Sequence, residues 1–258
     1  VAKGITREQI VTAALALLDE QGMDAVTVRA LGARLHVKAP ALYWHVRNKQ
    51  ELLDEMATFV MRRVTDALAA IPRSGDWRDD VAAYARVLRS EYLMHRDGAR
   101  IFSGTRVADP EVVRAKESWL ERLTAAGFSL PEADDVLDLV TAFVVGFVIE
   151  EQERSPAAGA DPARYSLTGR DAWLGEGAER VKAAGHLRDD GDPRFERQLG
   201  ILLDGLATRL RGTWRPPAKE TYTIVATQGT ATKTLVIEIT GDAQPGSASA
   251  GLLPTGSS

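Results

Sequence analysis

Tyr43, Trp44 and His45 stand side by side, with Lys38 ahead of them and Lys49 just beyond. Three aromatics at adjacent helical positions cannot all point into one core, so part of this group must face outward. Exposed aromatics flanked by cations suit the major groove of DNA. Lys and Arg reach phosphates, while Tyr, Trp and His offer apolar contact and hydrogen bonds to base edges. The residues around them supply the two helices such a reading head needs. Thr27 is placed to cap a helix that carries Val28, Leu31 and Leu35 on one face. His36-Val37-Lys38-Ala39 makes a turn, and Pro40 opens a second, very short helix through Ala41, Leu42, Tyr43, Trp44 and His45. Leu42 and Val46, four apart, anchor that helix on the first, with Tyr43 serving partly as structure as well as contact.

Catalytic chemistry has no comparable constellation. Asp134-Asp135 and Glu150-Glu151 are paired acids, but neighbours on a helix point apart and read as solvated faces. No nucleophile–base set, phosphate loop or metal-spaced ligand group accompanies them, so an enzyme is not expected.

Three colinear segments extend the reading. They are Leu42-Tyr43-Trp44-His45-Val46-Arg47-Asn48-Lys49 followed by Leu52-Leu53-Asp54; His95-Arg96-Asp97-Gly98-Ala99 with Gly104-Thr105-Arg106; and Gly127-Phe128-Ser129-Leu130 followed by Gly146 and Glu150-Glu151-Gln152-Glu153. Through these, the chain from Ile5 to about Trp214 resembles the tetracycline repressor family of one-component transcriptional regulators. The resemblance implies an all-α fold with a helix-turn-helix head and a helical body that binds a small-molecule effector and dimerises. It also implies a homodimer whose two heads, about one helical turn apart, read a palindromic double-stranded operator. The DNA-binding candidates are Thr27, Arg29, Lys38, Ala39, Pro40, Ala41, Tyr43, Trp44, His45 and Lys49. Ala39 and Ala41 stand where the family often places polar base-reading side chains, which shifts readout toward Arg29, the aromatics and thymine methyl contact.

Taken in order, the chain divides into a head over 1–50, a ligand-binding and dimerisation body over 51–214, and an extension over 215–258. Thr6-Arg7-Glu8-Gln9 is a capping box opening an amphipathic helix that Gly22 ends. Asn48 caps a longer helix carrying Leu52, Leu53, Met56, Phe59, Val60 and Val64, the connecting arm between head and body. Asp76 restarts a helix after Ile71-Pro72-Arg73-Ser74-Gly75, ending near His95. One or two turns fit 99–103. Pro110 opens a helix running through Val113, Lys116, Trp119, Leu120 and Leu123. Pro131 opens another, apolar on more than one side, which points to burial both in its own core and against a partner. A loop spans Ser155 to Gly169, a helix is expected from Asp171 to Ala184, and Asp192-Pro193 starts a last helix striped with Phe195, Leu199, Leu202, Leu203, Leu206 and Leu210. Beyond Trp214, two β-branched runs around Gln228-Gly229 read as a short hairpin, and the Gly/Ser/Pro-rich end as a disordered tail.

The resemblance also implies an effector pocket, with departures. In family members that bind a drug–magnesium chelate, a histidine before the Gly-Thr-Arg element helps hold the metal, and an acid from the partner backs it through water. Here Phe102 takes the histidine's place and Glu150 matches the acid. Thr65, Tyr84, Leu88 and Trp119 fall where the family has polar or other drug contacts, Thr105 and Arg106 are retained, and Thr141 completes the candidate ligand-binding set. An acid alone is a poor magnesium anchor. The expected ligand is therefore apolar or polycyclic, bound without metal or cofactor, and ligand is expected to relieve repression. Activation, ligand-independent regulation, or an interaction adaptor that has lost DNA binding remain open alternatives.

Composition agrees. The 258 residues contain no Cys, which excludes disulfides and thiolate metal sites and fits a reducing cytoplasm. No secretory pattern or bilayer-length apolar run is read, so a soluble, intracellular protein away from membranes is expected. The formal charge of −4 is uneven: residues 1–50 hold seven Lys/Arg against four acids. A basic head on an acidic body fits binding at a defined site better than indiscriminate affinity for polyanions.

Overall fold

The computed structural model describes residues 5–154, 162–213, 220–228 and 231–239. The N-terminal Val1-Ala2-Lys3-Gly4, residues 155–161 of the expected loop, the stop at Arg215-Pro216-Pro217, the Gly229 turn and the tail from Thr240 lie outside them, while the rest of that loop is ordered as a 3-10 turn (Pro162–Tyr165) and the start of a helix at Leu167.

Helix α1 (Arg7–Gln21) starts with the anticipated reciprocal cap: Gln9 N–H donates to Thr6 Oγ1 at 3.2 Å, and Thr6 N–H to Gln9 Oε1 at 2.9 Å. Thr27 caps α2 (Val28–Arg34) through the Ala30 N–H at 3.1 Å. Helix α3 (Ala39–Tyr43) carries Pro40 in its first turn. Between α2 and α3 the chain doubles back tightly. Val37 N–H bonds Gly32 C=O at 2.9 Å, and a Cβ on Gly32 would stand 3.0 Å from the Val37 carbonyl oxygen, so a side chain there would crowd the turn. Ile10, Leu18, Val26, Leu31, Leu42 and Val46 close the head's interior with no exposed surface.

Asn48 caps α4 (Lys49–Ala70), accepting from Glu51 N–H at 2.9 Å. Leu52 and Met56 on its first half belong to the head's apolar cluster, so the core runs without interruption from head to body. The body comprises α5 (Trp77–Leu93), α6 (Gly98–Phe102), α7 (Pro110–Arg114), α8 (Glu117–Ala125), α9 (Leu130–Arg154), α10 (Leu167–Leu174), α11 (Glu179–His186) and α12 (Asp192–Thr213). Arg89 on α5 joins three of these. Its guanidinium donates to Glu151 on α9 at 2.7 and 3.0 Å and to Asp192 on α12 at 2.6 Å, while lying 4.7 Å from the Phe195 ring centroid. A largely buried Arg with two carboxylates and an aromatic face fixes the mutual orientation of α5, α9 and α12.

Two helices break where their apolar spacing reads as continuous. The helix from Pro110 is interrupted at Ala115–Lys116, where Lys116 N–H turns to the Val113 carbonyl, a one-residue-shorter hydrogen bond than the α-helical one. The stretch from Asp171 to Ala184 is two helices, α10 and α11, because Gly175 and Gly177 sit at φ +61° and +86° between them. In the extension, β1 (Glu220–Gln228) pairs antiparallel with β2 (Ala231–Ile239), from Glu220↔Ile239 to Gln228↔Ala231, as the β-branched runs anticipate.

Candidate nucleic-acid interface and ligand cavity

On the head, Leu42 and Val46 are fully buried, while Trp44 between them is 89% exposed and Tyr43 52%. Anchoring by the two aliphatics leaves the aromatics no inward path. Thr27, Arg29, Lys38, Ala39, Pro40 and Lys49 are exposed on the same head; Ala41 is half-buried. His45 departs from the outward placement expected of it. The α-helix ends at Tyr43, the chain curls so that His45 N–H bonds the Leu42 carbonyl at 2.9 Å, and the ring is half-buried. The His45 carbonyl in turn accepts from Arg7 Nη2 at 3.0 Å, and the other Arg7 nitrogen donates to Glu55 on α4. Arg7 therefore ties the first turn of α1, the end of α3 and the arm together. Its capping-box neighbours were legible in the sequence; this role was not, since its partners lie 38 and 48 residues away.

In the body, α4, α5, α8 and α9, with residues of α6 and α7, line a partly open cavity of about 860 Å³. Of the candidate ligand residues, Thr65, Tyr84, Phe102, Thr105, Trp119 and Thr141 line it. Tyr84 and Thr141 meet through a 2.8 Å hydrogen bond between hydroxyls, and the Tyr84 and Trp119 rings lie 5.6 Å apart. Burial pushes the Tyr84 and Tyr92 hydroxyls above the usual tyrosine range; the Thr141 contact partly offsets this at Tyr84.

Three candidates fall outside the lining. Leu88 is fully buried but packs in the core. Arg106 is exposed, its backbone N–H held by Asp54 at 3.1 Å. Glu150 is exposed and pairs with Arg154 at 2.9 Å, one turn along α9. In their stead the cavity holds charged residues that periodicity does not reveal, because each comes from a different element. Asp80 on α5 receives Arg122 Nη1 of α8 at 3.1 Å, Arg73 joins from the link before α5, and Lys116 is ion-paired with Asp134 and lies 3.7 Å from Asp138.

Among the described residues no histidine lines the cavity, and its two acids, Asp80 and Asp138, already face Arg122 and Lys116. Among the described residues no three His, Cys, Asp or Glu groups converge in a way that could hold a metal ion.

One contact chain runs from this cavity to the head. The Phe102 ring meets His95 edge-on with centroids 5.9 Å apart, and His95 Nδ1 lies 3.1 Å from the Asp19 carboxylate of α1. Arg96 N–H also donates to Asp19 at 3.2 Å, Met23 N–H to Asp97 at 3.3 Å, and Gln152 on α9 to the His95 carbonyl at 2.7 Å. His95 is 7% exposed, and its Nε2 has no partner among the described residues.

The profile of bacterial regulatory proteins of the tetR family matches residues 10–56, and that of the tetracyclin repressor-like C-terminal domain matches residues 71–210. The chain belongs to the tetR family. A class A tetracycline repressor protein of Escherichia coli, from transposon 1721, is 39% identical, covering 78% of this chain and 89% of its own length. A crystal structure of a possible TetR family regulator from Streptomyces coelicolor A3(2) superposes with a TM-score of 0.68 at 35% identity, covering 79% of this chain and 99% of that one. ActR from Streptomyces coelicolor, solved in complex with actinorhodin, gives 0.67 at 30% identity, over 81% and 97% of the two chains. This tetR family member thus has the all-α architecture of a helix-turn-helix regulator, and no helix among its described residues is long and apolar enough to cross a membrane.

Proposed function

We propose that this regulator is a repressor that binds a palindromic operator as a homodimer and is released by a small molecule lodged, without metal, in the body's cavity. The observation that carries the DNA-binding reading is the α3 turn, with Leu42 and Val46 locked inside and Trp44 and Tyr43 held out beside Lys38 and Lys49. A rigid, exposed aromatic–cationic ridge of this size fits a major groove. In this reading the head reads DNA and the body senses and dimerises, with the first turns of α4 packed into the head.

Dimerisation is supported by the face that α9 and α12 leave open. Leu139 on α9 is 47% and Ile201 on α12 67% exposed, with Gly205 continuing the α12 face. Large apolar side chains beside small residues let a two-fold mate approach closely.

Release follows from the arm. Helix α4 is about 33 Å long at 1.5 Å per residue. Its first half is built into the head's core, while Met61, Val64, Thr65 and Leu68 of its second half line the cavity. A ligand that fits better when α4 is displaced favours a state with the heads off groove spacing, and DNA dissociates. The His95–Asp19 contact is a second link between cavity wall and head.

The test is a gel shift of the purified protein against the DNA flanking its own coding region. A discrete complex that survives competitor DNA and weakens steeply with added salt supports the reading. No complex at any low salt concentration would refute it and move the chain to the interaction adaptors.

A further inference from the structure

The cavity's charges are sorted into two groups with different balances. Around Lys116 there is one cation for two acids, Asp134 and Asp138. Around Arg122 the balance reverses. Arg122 pairs with the single carboxylate there, that of Asp80, while Arg73, a second cation on the same cavity wall, forms no ion pair among the described residues. Burial, and then the charge of Arg73, press the Arg122 pKa below its ordinary value. Two guanidiniums with one carboxylate at the wall of a largely apolar cavity leave a deficit of negative charge that an incoming anion fills.

The same corner supplies aromatic walls. The Arg122 guanidinium lies over the Trp119 ring, 4.2 Å from its centroid, and the Tyr84 ring stands 5.6 Å from Trp119, tilted by 53°. An aromatic ligand laid against Trp119 and Tyr84 would therefore bring a substituent at its edge to Arg122 and Arg73. A cationic group would be drawn instead to the opposite group, where Asp138 shares Lys116 with Asp134, so the sign of the ligand's charge distinguishes the two corners.

We propose that the effector is an aromatic acid whose anionic oxygen is held by Arg122 and Arg73, with its ring system in the angle between Tyr84 and Trp119. This rests on the reading of the cavity as the effector site.

The test compares three probes of one shape on the full chain by calorimetry at neutral pH: anthraquinone-2-carboxylate, its neutral 2-hydroxymethyl analogue, and the cationic 2-aminomethyl analogue. The carboxylate is expected to bind at least about tenfold tighter than the neutral probe, the scale of one charge-assisted hydrogen-bond pair. R122Q should remove most of that preference and leave the neutral probe within about threefold of its original affinity. R73Q, at an exposed position where folding is not at stake, should lower the preference in the same direction. Equal binding of acid and neutral probes, or preference for the cation, overturns the acid assignment and leaves the cavity reading standing. Failure of all three to bind a protein that still shifts DNA overturns both.

Discussion

Arg7→Ala tests how the reading helix is held. The side chain of Glu55 is only 10% exposed, and Arg7 is its ion-pair partner; Arg7 itself is 51% exposed. Breaking a fully buried pair costs about 3–5 kcal/mol, whereas an exposed pair contributes about 0–1 kcal/mol. This pair has one buried and one half-exposed member, so the loss is placed between, at about 2 kcal/mol. The hydrogen bond to the His45 carbonyl is exposed and adds roughly 0.5–1 kcal/mol. For a chain of this size each kcal/mol moves Tm by about 2–4 °C, giving a fall of roughly 5–12 °C. Thermal unfolding at fixed protein concentration, followed by helix circular dichroism, measures it. Most of the penalty lies in the carboxylate left without a partner, so Arg7→Ala combined with Glu55→Gln should be less destabilised than the two single changes added, by about 1 kcal/mol or more. Operator affinity of Arg7→Ala should fall further than the unfolded fraction explains, because the end of α3 loses its tether to α1 and α4. Additive single changes, or a loss below about 0.5 kcal/mol, would show that the pair is incidental and that packing of Leu42 and Val46 alone positions the ridge.

Trp44→Ala should leave stability within about 0.5 kcal/mol, since the side chain is 89% exposed, yet weaken operator binding at least tenfold; equal losses in both assays would make Trp44 structural. Asp19→Ala removes the carboxylate that meets His95 and the Arg96 N–H, so heads and body should uncouple: a ligand that dissolves the wild-type DNA complex should need a higher concentration to dissolve the variant's, and unchanged release excludes this contact from signalling. Gly98→Ala would press a Cβ onto the Tyr92 carbonyl oxygen inside van der Waals contact, with a loss of about 2 kcal/mol or more expected in denaturant unfolding; a neutral result would mean that the loop yields easily. The raised hydroxyls of Tyr84 and Tyr92 make a pH prediction. A folded state that keeps these groups neutral gains its full contribution below the ordinary pKa of 10.0 and loses it as pH rises beyond. Phenolate absorbance should therefore show a late step coincident with alkaline unfolding, absent in Tyr84→Phe/Tyr92→Phe, whereas complete titration of a still-helical protein would refute it.

Local order was set out in the sequence because its causes are local. Thr6, Thr27 and Asn48 cap within three residues of themselves, Pro40 fixes one dihedral in a first turn, and Leu42 with Val46 lies on one side of a single turn. These interactions need no distant partner, so residue type and spacing suffice to place the head, the arm and the long helices. The three colinear segments carried the family with them.

Tertiary structure decided what depends on groups far apart in the chain. The apolar spacing across Gly175 and Gly177 reads as one helix, and only the backbone at positive φ breaks it. Arg7 looks like an ordinary first-turn residue until His45 and Glu55 are brought to it. Leu88, Arg106 and Glu150 occupy motif positions of the family's ligand site, yet within the single chain they lie off the cavity's own wall. Arg73, Asp80 and Arg122, which carry no motif, meet there because the link before α5, α5 itself and α8 converge. Periodicity reports which face of a helix is apolar. Which charged side chains at the margins of several helices share one cavity is fixed by how those helices cross, and that geometry is written in no single stretch of the sequence.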